Sequence, residues 1–146
     1  MSAVLRVSAI RQRFDTVVNA AGYERSAYTY DRFGRDFDSL RPGSYSVGVP
    51  RSTFDAFDGR DRFGSEGEAE TVIGVKTSHR LTTDDPHGTY DAALDAEQEL
   101  ITACLDADLG LMQVRLESAD RAVTSDGGYL VSTVLLLVHH RFSFGR

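Results

Sequence analysis

The C-terminal segment constrains the fold of this chain more than any other part. Met112–Arg121 alternates apolar and polar residues, and Tyr129–Phe144 is one long strand candidate. Between them Thr124–Gly128 supplies Asp-Gly and Gly-Gly, which adopt the positive φ that tight reversals need. Val134–Val138 is apolar without a break, so we expect both faces of that strand to be covered. The sequence therefore predicts a long C-terminal β-hairpin with a central second strand.

Two segments upstream of the hairpin have helical spacing of apolar residues. Ser2–Ala21 repeats Val, Ile and Phe at intervals of three and four, and Gly22 fits the position just past its end. Tyr90–Leu105 is the second segment, and Thr89 fits the N-cap position before it. We expect both helices to pack on one face of the sheet.

Further strands are predicted before the second helix. Ser44–Val49 alternates cleanly, Glu70–Leu81 places Ile73 and Val75 on one face, and Ala27–Phe33 is a weaker candidate. With 146 residues, the chain has the length of one domain. The order of elements predicts a single α+β domain over residues 1–146 with a mainly antiparallel sheet.

Composition narrows the function classes. The net charge of −6 argues against a general nucleic-acid binder, and the bias of the cations towards Arg favours ion pairs and protein interfaces. Cys104 is the only cysteine, which excludes an intrachain disulfide, and we expect it to be a small buried hydrophobe. With no signal-peptide pattern and no apolar stretch of roughly twenty residues, we expect no membrane partner and synthesis in a reducing cytoplasm.

No catalytic or cofactor-binding motif stands out. Gly74–Thr77 contains a Lys-Thr pair but lacks the glycine spacing of a phosphate-binding loop. His139 and His140 are neighbours on a strand and point to opposite faces. His79 could meet one of them across strands, but no Cys, Asp or Glu ligand set accompanies these histidines. We therefore expect no enzymatic activity, no cofactor and no metal site, with the histidines at polar positions near strand ends.

The segment Tyr23–Glu68 is unusual, because nine aromatic residues are interleaved with Asp, Arg, Gly and Ser. A long segment with little regular structure is uncommon in a domain unless it is functional, and aromatics with Arg on loops are typical of interfaces. The other interpretation is that these aromatics cover the open face of the sheet. The candidate interface residues are Tyr28, Tyr30, Arg32, Phe33, Arg35, Phe54, Phe57, Arg60, Arg62 and Phe63.

An acidic stripe lies on the predicted second helix, where Asp91, Asp95 and Glu99 are spaced four apart. Like charges at this spacing destabilise a helix by about 0.2–0.5 kcal/mol per pair, so the stripe is either tolerated or used. One use is to line an opening through which DNA passes without binding. The alternative is a solvated helix face.

The layout resembles the tail-terminator (tail-completion) proteins of long-tailed phages. The matching features are the amphipathic helix Ser2–Ala21, the Gly- and aromatic-rich segment, the strand Glu70–Leu81 and the two segments Tyr90–Leu100 and Gly128–Val138. The last two look like that family's second helix and closing strand. The resemblance implies a non-enzymatic α+β subunit of a hexameric ring, which caps the tail tube, stops its growth and joins the filled head.

The partners that the resemblance implies are further copies of the chain, the tail tube protein and a head-closure or neck protein. DNA would pass through the ring without specific binding, and the protein would reside in the virion tail or neck after assembly in the host cytoplasm. One alternative is another head–tail connector or neck protein. A second is a small cytoplasmic α+β ligand-binding protein or enzyme, with a pocket between the sheet and the aromatics of Tyr23–Phe63 and with His79, His139 or His140 as its polar group.

Overall fold

The computed structural model describes residues 6–35, 40–56, 66–107 and 113–143. These ranges contain two helices, α1 (Val7–Ala20) and α2 (Pro86–Leu105), and five strands. The strands are β1 (Glu24–Arg25), β2 (Ser44–Ala56), β3 (Glu66–Arg80), β4 (Gln113–Val123) and β5 (Tyr129–Ser143). The predicted α+β class and the long C-terminal hairpin are confirmed. Neither helix is both long enough and apolar enough to cross a membrane.

All five strands belong to one sheet in the order β1-β2-β3-β5-β4. The two central strands, β3 and β5, pair antiparallel from Glu66↔Ser143 to Arg80↔Tyr129. The hairpin strand β4 lies at one edge of the sheet. At the other edge, β1 pairs parallel with only the first two residues of β2. Within the described ranges, the rest of the outer side of β2 has no neighbouring strand.

Both helices pack on the same face of the sheet, as predicted. Apolar side chains from α1 and α2 meet alternate residues of β2, β3 and β5 in one buried cluster. Its members are Ile10, Phe14, Val18, Tyr45, Val47, Ile73, Val75, Leu100, Cys104, Val134, Leu136 and Val138. The expectation that both faces of β5 are covered is correct in full for the face towards the helices and in part for the other face. Leu135 and Leu137 point to the opposite face and are half-buried.

Two elements differ from the sequence prediction. Ala27–Phe33 was predicted as a possible strand but forms a turn-rich loop. Its Tyr30 side chain packs against the sheet and Phe33 is buried, and the segment pairs with no strand. The second helix begins earlier than predicted, so Thr89 is not its N-cap. Asp85 takes that role by accepting the Gly88 N–H at 3.0 Å.

The boundaries of other elements also shift. The predicted start of the first helix at Ser2 lies outside the described residues. The strand predicted at Ser44–Val49 continues to Ala56 past an irregularity between Gly48 and Arg51, where Pro50 sits. A proline has no backbone N–H, so such an interruption fits an edge strand.

Candidate functional site

The aromatic loop, residues 26–35, covers part of the sheet face opposite the helices. Gly48 of β2 pairs with Gly74 of β3, and the side chain of Tyr30 lies in the space that a Cβ at either glycine would fill. Lys76 donates to the Tyr30 carbonyl at 2.9 Å, and its Nζ lies 4.2 Å from the centroid of the Tyr30 ring. Ser46 donates to the Tyr28 carbonyl at 3.1 Å. Two glycines and the only lysine of the chain therefore hold this loop in place.

Burial controls the electrostatics of this contact. It lowers the pKa of Lys76, with the nearby Arg35 acting in the same direction and Asp31 opposing. It also raises the pKa of Tyr30. The ammonium group stays close to a carbonyl and an aromatic face, both of which attract a cation.

The predicted interface residues occupy different environments. Phe33 is only 2% exposed, so in this conformation it cannot contact a partner and instead fits the interpretation that aromatics cover the sheet. Arg32 is exposed and lies 6.0 Å from the centroid of the Tyr28 ring, and Arg35 is exposed beside it. Phe54 is 43% exposed and packs edge-on against Phe142. The remaining candidates, Phe57, Arg60, Arg62 and Phe63, lie outside the described residues.

A buried ion pair that the sequence analysis missed joins α2 to β4. Glu97 is only 1% exposed. The Nε–H of Arg121 donates to both carboxylate oxygens of Glu97, at 2.9 and 3.1 Å. Ser132 of β5 donates to the same carboxylate. The hydrogen bond from Arg121 raises the pKa of the guanidinium. The sequence feature that could have revealed the burial of Glu97 is its position on the apolar stripe of α2, between Ala93 and Leu100.

All three residues of the acidic stripe on α2, Asp91, Asp95 and Glu99, are exposed to solvent. Glu99 also lines a cavity of about 460 Å³ between the end of α1, α2 and β3, together with Tyr23 and His79. The stripe therefore forms the outer side of a helix whose inner side packs on the sheet.

In the sheet, His79 lies far from His139 and His140. His79 pairs with Leu130 near one end of the β3–β5 ladder, whereas His139 and His140 pair with Glu70 and Ala69 near the other. Within the described ranges, no three His, Cys, Asp or Glu side chains come together in a way that could hold a metal ion. The contact between His79 and either of the other two, which the sequence left open, therefore does not form.

Each histidine has its own surroundings. His79 stacks edge-on with Tyr23, and burial lowers its pKa while Glu97 opposes that shift. His140 is 2% exposed with Nε2 2.7 Å from the Thr71 hydroxyl, which corrects the expectation of a polar position at the rim. His139 is exposed, 3.3 Å from Glu68.

The strands towards the two edges of the sheet, β2 and β4, each expose large apolar side chains. On β4, Leu116 and Val123 are 42% and 50% exposed. On β2, Phe54 is exposed beyond the irregularity at Pro50. Unpaired strand edges with exposed apolar side chains are common sites of association.

Neither a scan against protein-family models nor a search of curated proteins finds a match to this chain.

Proposed function

We propose that this chain is a structural, non-enzymatic subunit of a long-tailed phage tail. Six copies form a closed ring that ends the tail tube, stops its growth and provides the surface that joins the tube to the head-closure or neck protein. The family part of this proposal rests on the resemblance of the layout and of segments Tyr90–Leu100 and Gly128–Val138. The ring is supported by the geometry of the subunit.

One observation carries the ring. Opposite edges of the same sheet expose different apolar side chains, with Leu116 and Val123 on β4 and Phe54 on β2. A closed ring requires head-to-tail contacts between two unlike surfaces of each subunit. Surfaces on opposite sides of a subunit allow each copy to contact two neighbours. β4 also carries charged residues among its apolar ones, and these would form the polar part of such an interface. They are Arg115, Glu117 and Asp120.

The acidic stripe gives the ring a channel wall. If Asp91, Asp95 and Glu99 face the channel in every copy, their charges repel the phosphates of passing DNA. Such a wall keeps the DNA centred without binding any sequence. The overall negative charge of the chain agrees with this role.

Tube growth provides the test. The tail tube protein of the same phage is polymerised alone and with this chain, and tube lengths and ends are measured by electron microscopy. We expect short tubes with a ring at one end. Leu116→Lys, which places a charge in the proposed interface, should restore long, bare tubes, while Leu105→Lys on α2 serves as the matched change of an exposed leucine. Tubes of unchanged length with the wild-type chain would contradict termination, and a ring that instead binds only head-side proteins would indicate another neck position.

A ligand-binding protein is the second candidate, and one observation favours it. The cavity lined by Tyr23, His79 and Glu99 has about 460 Å³, within the range of small-molecule sites. A small-molecule screen followed by His79→Leu separates the candidates. Ligands that bind wild type and not this variant would support the ligand-binding function.

A further inference from the structure

A slot opens along the outer edge of β2. Its volume is about 510 Å³, with α1 on one side and the aromatic loop on the other. Arg11 and Asp15 line it from α1, and Ala27 and Tyr28 line it from the loop. Val47–Val49 of β2 line it between these two walls. The slot therefore lies in the plane of the sheet, in the place of a further strand.

Within the described ranges, the backbone of β2 has no neighbouring strand at this point. Ser26 donates its N–H to the Tyr45 carbonyl at 2.8 Å, so the polar groups of Tyr45 point away from β3. Residues two apart on a strand point their polar groups in the same direction, so the N–H and carbonyl of Val47 also point outward. The chain leaves the edge after Ser26, and no backbone group in the described ranges bonds to the outward side of Val47. Pro50 then ends the stretch that can pair.

Four charged side chains line the slot, namely Arg11, Asp15, Arg25 and Asp31. Asp15 pairs with Arg25 at 3.6 Å, and Asp31 lies near Lys76, where it opposes the lowering of the lysine pKa by burial. Arg11 has no carboxylate partner among the described residues, and its guanidinium reaches the Val47 carbonyl at 3.4 Å, which is a long hydrogen bond. An acidic side chain on an incoming segment would give Arg11 a stronger partner.

We propose that this slot binds an extended segment of a partner protein, which adds to the sheet as a short strand beside Val47–Val49 and places an acidic side chain against Arg11. Main-chain hydrogen bonds supply the binding and the side chains on the two walls supply the selectivity, as in other cases of strand addition. The walls suit a single strand, because α1 covers one face of it and Tyr28 with the loop covers the other. This binding site does not depend on the proposed ring, whose contacts lie at β4 and at the far part of β2.

A displayed library of random peptides of about nine residues tests the proposal, since strand addition tolerates many sequences. The library is selected in parallel on the full-length wild-type chain, on Ala27→Trp and on Ala92→Trp. Ala27→Trp fills the slot, whereas Ala92→Trp is a matched change at an exposed position of α2. We expect enrichment on wild type and Ala92→Trp, loss on Ala27→Trp, and an acidic residue shared by the enriched peptides.

The best enriched peptide is then synthesised in its acidic form and with Lys in place of the acidic residue. Arg11→Glu should weaken binding of the acidic peptide roughly tenfold or more and favour the Lys peptide, because a hydrogen bond to a charged group contributes at least one decade in affinity. Hydrogen exchange of the Val47 amide should slow when the acidic peptide binds. No enrichment, equal enrichment on Ala27→Trp, or unchanged exchange at Val47 would overturn the proposal.

Discussion

Glu97 of α2 and Arg121 of β4 form a bidentate ion pair, in which Nε and Nη2 of the guanidinium both donate to the carboxylate, and this pair connects the second helix to the edge strand of the sheet. The carboxylate is buried, and the guanidinium side chain is 37% exposed. The pair therefore fixes the position of β4 relative to the core. In the proposed ring, that strand carries one half of the subunit contact.

Removing the cation should cost stability, because it leaves a buried carboxylate without its partner. We expect Arg121→Met to lower the free energy of unfolding by about 3 kcal/mol, the lower end for a broken buried pair, since the guanidinium is partly solvated. Urea denaturation of the purified chain measures this change. The control is Arg115→Met on the same strand, an exposed position where we expect a change within about 0.5 kcal/mol. Equal effects of the two substitutions would show that the pair does not stabilise β4.

The contact between Tyr30 and the glycine pair predicts a non-additive double substitution. Gly48→Ala places a methyl group against the base of the Tyr30 side chain, which cannot move without the loop. We expect a loss of about 1–3 kcal/mol, as for other overpacked sites. In a Tyr30→Gly background, which also removes the Cβ that the new methyl group would meet, the same change should be nearly neutral, which a double-mutant cycle measures. Additive losses would mean that Tyr30 does not lie on Gly48.

Burial of His140 predicts a loss of stability in mild acid. Its pKa in the folded chain is lowered from 6.5 by burial, so the unfolded chain takes up a proton first as the pH falls. The contribution of His140 is therefore complete above about pH 6.5 and decreases below it. His140→Gln should reduce the fall in unfolding free energy between about pH 7.5 and about pH 5.5. His87→Gln, at an exposed position, should show the same fall in unfolding free energy as wild type. If the unfolding free energy depends on pH identically in all three proteins, His140 is not the cause of the fall.

The acidic stripe yields a charge-reversal test of the channel. Replacing Asp91, Asp95 and Glu99 with Lys should leave folding intact, because exposed helix charges each contribute only tenths of a kcal/mol. The variant should gain affinity for duplex DNA that weakens with added salt, since lysines release counterions from the phosphates. Fluorescence anisotropy at low salt measures this gain. No gain at low salt, or a ring structure with α2 on its outer rim, would leave the stripe as a solvated helix face.

Periodicity predicted the long elements well, for physical reasons. β5 and both helices carry an apolar stripe that repeats with the period of the element, and each packs that stripe into the core, whereas β4 leaves Leu116 of its stripe exposed. The extension of β3 back to Glu66 was missed because its inward residues there are Gly67 and Ala69, which give little apolar contrast. The pairing of β1 was missed because two residues carry no period at all.

Pairings between distant residues could not be predicted from local patterns. Nothing in the sequence around Gly48 or Gly74 marks them as a pair. The register of β2 and β3 places them side by side under Tyr30. Glu97 lies on the same helix as the exposed acidic stripe, and only its spacing from Ala93 and Leu100 indicates an inward position. Its partner Arg121 lies on another element, so the ion pair depends on the fold rather than on either segment.

Native mass spectrometry of the purified chain, alone and with tail tube protein, tests the ring most directly. We expect a closed species of six subunits, formed either by the chain alone or on addition of tube protein, and we expect Leu116→Lys to abolish it. Leu105→Lys should retain it. A strictly monomeric chain across micromolar concentrations, with and without tube protein, would contradict the ring.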